Sequence, residues 1–297
     1  MSKQNIIIAA LVSLLIAVGI LLLVDKKRSE PTPAPQPEPT VEELTVPTTT
    51  TSVIGSSVEG RTIEVHTFGT GENDLLLVGG FHGGYEYNTI ILAHEMIDYF
   101  RANPGAVPEN VTVHIVPNLN PDGLFIATGL EGRFEESDIT DYSMHTSGAG
   151  RFNANDVDLN RNFDCRWVDS GVWRGNAVSA GTAPFSEPEA VAIRDYVMQT
   201  EPKAAIFWHS KAGNVYGAEC NNGIVDEGTL TLMRTYANAS GYGSVPVFDA
   251  YVVTGAMEDW LTSIGIPAVT VEFTTRTSSE FEANLAGTLA VLQQYAE

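Results

Sequence analysis

The stretch that decides the fold is Leu75–Arg101, LLLVGGFHGGYEYNTIILAHEMIDYFR. Its first four residues, Leu75–Val78, are apolar without interruption, the pattern of a strand covered on both faces. Gly79-Gly80 ends the run, and glycine lets the chain turn sharply and leaves space for a ligand beside the backbone. From Tyr87 to Arg101 apolar residues recur at helical spacing (Ile90, Ile91, Ala93, Met96, Ile97, Phe100), and Asn103-Pro104-Gly105 supplies a stop. At the corner between strand and helix stand His82 and Glu86. They offer the nitrogen and oxygen donors of a catalytic Zn2+, which needs one more protein ligand and an open position. Alone, the pair reads equally well as a glycine-rich turn whose glutamate favours the positive end of the helix dipole.

Working outward, Arg61–His66 alternates as a half-exposed strand, and Val111–Val116 is a further strand followed by the turn cluster PNLNPDG. Residues 119–185 are rich in Gly, Asn, Asp and Ser, and long irregular stretches in a compact domain are usually functional or disordered. Ser186 is positioned as a helix cap with Glu189 closing a capping box, and the helix then runs to about Gln199. A buried strand, Ala204–Trp208, ends at His209. Helices near 230–239 and 256–263, a strand at Ala268–Phe273 and a closing helix near 280–295 follow. Strands alternating with helices imply an α/β sheet covered on both faces, and ligands of such sheets gather at the carboxyl ends of the strands. His82, His209 and Glu272 all fall at such ends, which favours one shared site.

Three residue sets then fit one mechanism. His82, Glu86 and His209 make the His2Glu ligand set of a catalytic zinc. Glu272 is the only carboxylate of AVTVEFT and suits a general base that takes a proton from water and passes it to a leaving amine. Asp158 is placed to hold His82 in the right tautomer. In GRFNANDVDLNRNFD, Arg151 suits oxyanion stabilisation, and Arg161 beside Asn160 suits a fork for a substrate carboxylate. The plainer alternative for each arginine is a surface ion pair worth about 0–1 kcal/mol.

Taken together, these residues resemble the zinc metallocarboxypeptidases of the carboxypeptidase A type, especially bacterial members. The similarity runs through Asn120-Pro121-Asp122-Gly123, NANDVDLNRNF at 153–163, PFSEPE at 184–189, His209-Ser210, Tyr251 nine residues before Trp260, and Glu272 in VEF. It extends from about residue 61 to the end. The resemblance implies a three-layer αβα domain with a mixed, mostly parallel central sheet, and one Zn2+ per chain on His82, Glu86 and His209. It also implies Arg151 as electrophile, Asn160 and Arg161 on the terminal carboxylate, Tyr251 as a mobile cap and Glu272 as base. Glu86 departs from the family pattern by following His82 at four residues rather than three, so a bulge at Gly83-Gly84 is needed to bring it to the metal. Glu258, seven residues after Tyr251, stands where relatives specific for basic C-terminal residues resemble this chain in carrying an acid. A carboxylate there favours Lys, Arg or the free amine of a diamino acid, while Asp259 beside it is the competing candidate and helix capping the plainer role.

The expected activity is therefore hydrolysis of C-terminal peptide bonds in peptides or cell-wall stem peptides. The alternatives are an amidohydrolase of stem peptides or acylated amino acids, and a catalytically inactive surface-binding module on the same scaffold. Composition narrows the partners. The chain has 297 residues, 43% of them apolar, with net charge −21, which excludes a nucleic-acid backbone as an expected partner. Residues 5–24 form an apolar run long enough to cross a bilayer. The expected organisation is a short tail at 1–4, a transmembrane anchor at 5–24, a Pro/Thr-rich stalk at 25–52 and a catalytic domain at 53–297, outside the cytoplasm. Cys165 and Cys220 are either two buried thiols or a disulfide that such a compartment permits.

Overall fold

The computed structural model describes residues 49–297. The expected anchor at 5–24 and the stalk up to residue 48 lie outside the described residues. Among the described residues no helix is long and apolar enough to cross a membrane.

The elements in chain order are β1 (Thr50–Ser56), β2 (Thr62–Gly69), β3 (Asn73–Val78), α1 (Tyr87–Ala102), β4 (Val111–Val116), α2 (Pro121–Thr128), β5 (Ser170–Trp173), β6 (Asn176–Ser179), α3 (Pro188–Thr200), β7 (Ala204–Ser210), β8 (Asn214–Gly217), α4 (Glu227–Ser240), β9 (Gly243–Val245), α5 (Met257–Ser263), β10 (Ala268–Phe273) and α6 (Phe281–Gln294). Eight strands form one sheet in the order β1-β2-β4-β3-β7-β10-β8-β9, and β5 pairs with β6 in a separate hairpin. Within the large sheet the pairs β3–β4, β3–β7, β7–β10 and β8–β9 are parallel, and β1–β2, β2–β4 and β8–β10 are antiparallel. The sheet is therefore mixed, with its parallel strands at the centre.

Two apolar layers follow from the strand period of two. Leu75 and Leu77 of β3 face α1, α4 and α6, where Met96, Leu232 and Leu292 are fully buried. Leu76 and Val78 face the other way, onto Ile193 of α3 and Leu261 of α5. Both faces of the central strands are thus covered, and a three-layer αβα domain results.

Several local readings change. Thr50–Ser52, assigned above to the stalk, already belong to β1, which pairs with β2. The turn cluster at PNLNPDG instead starts a helix: Asn120 caps α2 by accepting from the Gly123 amide, and Pro121 occupies the first helical position. The expected capping box at Ser186 does not form. Glu187 is the residue before α3 and makes no side-chain cap, Ser186 donates to the Glu187 carboxylate, and Glu189 accepts from the Val58 amide and from Asn153. The region 119–185 contains the β5–β6 hairpin as well as loops.

Candidate active site

The parallel strands β3, β7 and β10 bring the site together. His82 lies four residues beyond β3, His209 is the penultimate residue of β7, and Glu272 sits level with His209 across the parallel β7–β10 pair. These are carboxyl ends of neighbouring strands, where an open α/β sheet leaves a crevice.

His82, Glu86 and His209 are buried and converge on one point. His82 Nδ1 is 3.0 Å from Glu86 Oε2, His209 Nδ1 is 2.9 Å from the same oxygen, and the two Nδ1 atoms are 3.2 Å apart. Ligands bound tetrahedrally at zinc distances of about 2.0–2.1 Å are separated by roughly 3.3 Å. The triangle therefore fits a zinc ion. The extra residue between His82 and Glu86 is absorbed by a tight 3-10 turn at Gly83–Glu86. Gly83 enters it at φ +43°, and a Cβ there would lie 2.7 Å from the Gly123 carbonyl carbon and 2.8 Å from the Gly150 oxygen, so the turn requires glycine. Desolvation pushes the Glu86 carboxyl up, but the charge of His82 and the hydrogen bond with His209 overcome it and hold Glu86 well below the usual range.

Asp158 supports this triangle from behind. Its Oδ1 lies 3.4 Å from His82 Nε2, and its Oδ2 accepts from Arg151 Nη2 at 2.7 Å. A carboxylate this close to the far nitrogen favours the proton on Nε2, the tautomer that leaves Nδ1 free for a metal, although the two groups make no hydrogen bond. Burial works against the Asp158 charge, yet Arg151, Arg161 and His82 keep it well below the ordinary carboxylate range. Arg151 is thereby fixed beside the triangle, 4.0 Å from Glu86 Oε1. Glu272 opens partly to the cavity. Its carboxyl is pushed up to about 7, first by desolvation and then by the charge of Glu86, near the pH at which a general base works best.

A cavity of about 970 Å³ contains these residues together with Asn160, Arg161, Tyr251 and Glu258. Asn160 Oδ1 accepts from the Met257 amide at the start of α5, and its Nδ2 donates to Glu258 Oε1 at 3.3 Å. Arg161 Nη1 donates to the Asn160 carbonyl and its Nε is buried without a partner. Glu258 also accepts from Thr270 Oγ1 at 3.1 Å through Oε1, while its Oε2 is buried and unpartnered. Asp259, the competing acid, is turned instead to the Glu219 amide and Arg166, and burial together with Glu258 pushes it up to about 7. Tyr251 is 39% exposed and packs its ring on Phe248. Cys165 and Cys220 form a disulfide with Cα atoms 5.8 Å apart.

The sequence reading did not find Tyr85, Trp173, Arg174 and Arg276, which line the same cavity. Arg276 Nη1 is 3.5 Å from Glu86 Oε1, and Arg174 donates to the Tyr85 hydroxyl at 3.0 Å. The scarcity of cations in so acidic a chain was the available signal. It marks every arginine as worth attention without saying where the chain folds it.

A donor triangle of two histidines and a glutamate, a raised carboxyl beside it and arginines around it, on an αβα sheet, make a site able to hold a metal ion. The chain belongs to the zinc carboxypeptidase family, which matches residues 42–286. It is 23% identical over 252 residues to gamma-D-glutamyl-L-diamino acid endopeptidase 1 of Lysinibacillus sphaericus, covering 77% of this chain and 62% of that protein. Carboxypeptidase O of Bos taurus is 28% identical over 173 residues, 54% of this chain and 44% of that protein. The chain thus spans less than two thirds of the length of these relatives. Among solved structures, the fold matches the murein-tripeptide amidase MpaA from Escherichia coli O157 with a TM-score of 0.55 and 22% identity, covering 83% of this chain and 92% of that one.

Proposed function

We propose that this chain hydrolyses the amide bond before a C-terminal residue whose side chain bears an amine or other cation, in peptides or in cell-wall stem peptides. The observation that carries the reading is the unpartnered, buried Glu258 Oε2 in the same cavity as Asn160, Arg161 and the donor triangle. A carboxylate fork and a buried anion side by side suit a residue with a free carboxylate and a positive side chain. Stem peptides are favoured by the relatives, since one is named for a diamino acid and a structural neighbour for a murein tripeptide.

A zinc ion held by His82, Glu86 and His209 would lower the pKa of bound water towards about 7 and polarise the scissile carbonyl. The chain's own residues do the rest. Asn160 Nδ2 and the Arg161 guanidinium hold the terminal carboxylate, and Glu258 receives the cationic side chain. Glu272 takes a proton from the attacking water and delivers it to the leaving nitrogen. Arg151, fixed by Asp158, donates to the oxygen as the carbonyl carbon becomes tetrahedral, and Tyr251 closes over the leaving residue. Residues 5–24 would tether the domain to a membrane with the catalytic part outside the cytoplasm; protease added to intact cells should then release it.

Peptides varied only at the C-terminal residue, assayed with and without chelator, test the proposal. Turnover should favour Lys and diamino acids and vanish on zinc removal, and E272Q should keep zinc while losing turnover. Hydrolysis that is indifferent to chelator, or absent with zinc bound, would refute it, the latter in favour of a binding module.

A further inference from the structure

Lys and Arg together number 16 in the chain, yet five arginines and Lys211 line this one cavity. Arg151 is paired with Asp158, Arg166 with Glu219 and Asp259, and Arg161 stands with Asn160. Arg174 and Arg276 have no such place in the mechanism. Arg174 meets no carboxylate among the described residues; it donates to the Tyr85 hydroxyl and to the carbonyls of His145 and Thr146 at 3.1 Å. Arg276 lies 4.3 Å from the centre of the Tyr85 ring, and its buried Nη1 makes no hydrogen bond. Its nearest acid is Glu86, whose other oxygen belongs to the donor triangle. Arg151, Arg174 and Arg276 all lie within 5.8 Å of that one ring. Cations gathered this closely repel one another unless an anion joins them.

We propose that Arg174 and Arg276, both beside the Tyr85 ring, form a second anion subsite that binds a free carboxylate on the acyl-side residue of the substrate. The placement rests on the function proposed above. If the leaving residue occupies Asn160, Arg161 and Glu258, and its carbonyl lies at the donor triangle, only the acyl portion reaches Tyr85. An acyl residue presents a carboxylate there in two ways: as an acidic side chain on an ordinary peptide bond, or as the free α-carboxylate of a γ-linked glutamate. The plainer role for Arg174 is capping the carbonyls of the short helix Met144–Ser147. That accounts for two of its hydrogen bonds, and the plainer role for Arg276, an ion pair with Glu86 Oε1 at 3.5 Å, leaves its buried Nη1 without a hydrogen bond.

The test uses the zinc-loaded chain and three substrates ending in lysine: a γ-linked glutamyl amide, the same compound with its α-carboxylate converted to carboxamide, and an α-linked glutamyl peptide. Hydrogen bonds between charged groups predict a kcat/KM preference of about 10-fold or more for a carboxylate form over the carboxamide. The γ-linked and α-linked arms identify which source fits. R174Q and R276Q should each move that ratio towards one, with zinc content measured in both. A ratio near one in the native protein, or an unchanged ratio in the double variant, overturns the subsite. Calorimetric binding of N-acetylglutamate and of its α-amide, N-acetylisoglutamine, to E272Q reads the subsite without turnover. Tighter binding of the diacid supports the subsite even if no peptide is hydrolysed, which would refute only the peptidase reading, whereas equal binding overturns the subsite itself.

Discussion

Replacing Glu258 with glutamine isolates the charge proposed to receive a cationic side chain in the cavity. Glu258 Oε1 is held by Asn160 Nδ2 and Thr270 Oγ1, and Oε2 faces no protein donor. Glutamine keeps an acceptor for both existing bonds and puts an NH2 group where the free oxygen was, so an incoming ammonium meets a donor instead of an anion. Hydrogen bonds to charged groups contribute about 1.5–3 kcal/mol, and each ~1.4 kcal/mol is a factor of ten in rate. E258Q should therefore lose roughly 10- to 150-fold in kcat/KM on substrates ending in lysine or a diamino acid. Leucine-ending substrates should change by no more than a few-fold, because their side chain pairs with neither the free oxygen of the native protein nor the NH2 group of the variant. The assay is steady-state hydrolysis of matched peptides at constant zinc occupancy. Equal losses on lysine and leucine substrates, or a native preference for leucine or phenylalanine, would refute the assignment of Glu258 to a cationic side chain.

Two further outcomes follow from the geometry. Gly83→Ala places a Cβ against the backbone of Gly123 and Gly150 at a positive φ, so it should displace Glu86 and lower zinc stoichiometry, read by metal analysis of the purified folded protein; full zinc content would refute the strained-turn account. Asp259 is pushed from its ordinary 3.8 up to about 7, so between those values the folded chain holds a proton that the unfolded chain has released. Its contribution to stability is present below about pH 4, falls as the pH rises to about 7 and is level above. The Tm of D259N relative to the native protein should thus rise across pH 4–7 and then flatten, and a flat difference over that window would refute the raised pKa.

The central strands and helices were legible because burial leaves a local mark: Leu75–Val78 and Ala204–Trp208 are continuous apolar runs, and in α1 Ala93, Met96, Ile97 and Phe100 recur at helical spacing after a start that is buried all round. The helix at Pro121 was misread because its start is a cap, Asn120 bonding to Gly123, and the same residues also spell a turn. The expected box at Ser186 failed for a tertiary reason, since Glu189 serves Val58 and Asn153 from distant parts of the chain. The β5–β6 hairpin, short and largely exposed, carries too little alternation to stand out.

The sequence by itself determined which donors exist and that they fall at the ends of strands, because those facts depend on residue type and local period. It could not decide whether an acid four residues from His82 reaches the same point as His209, since that turns on the path of three backbone units. The tertiary structure decided it through a 3-10 turn that only glycine permits at residue 83, packed against Gly123 and Gly150. It also gathered Arg151, Arg174 and Arg276, more than 100 positions apart at the extremes, around Tyr85. Their common location comes from the order of strands in the sheet and the return of the hairpin, which no spacing along the chain records.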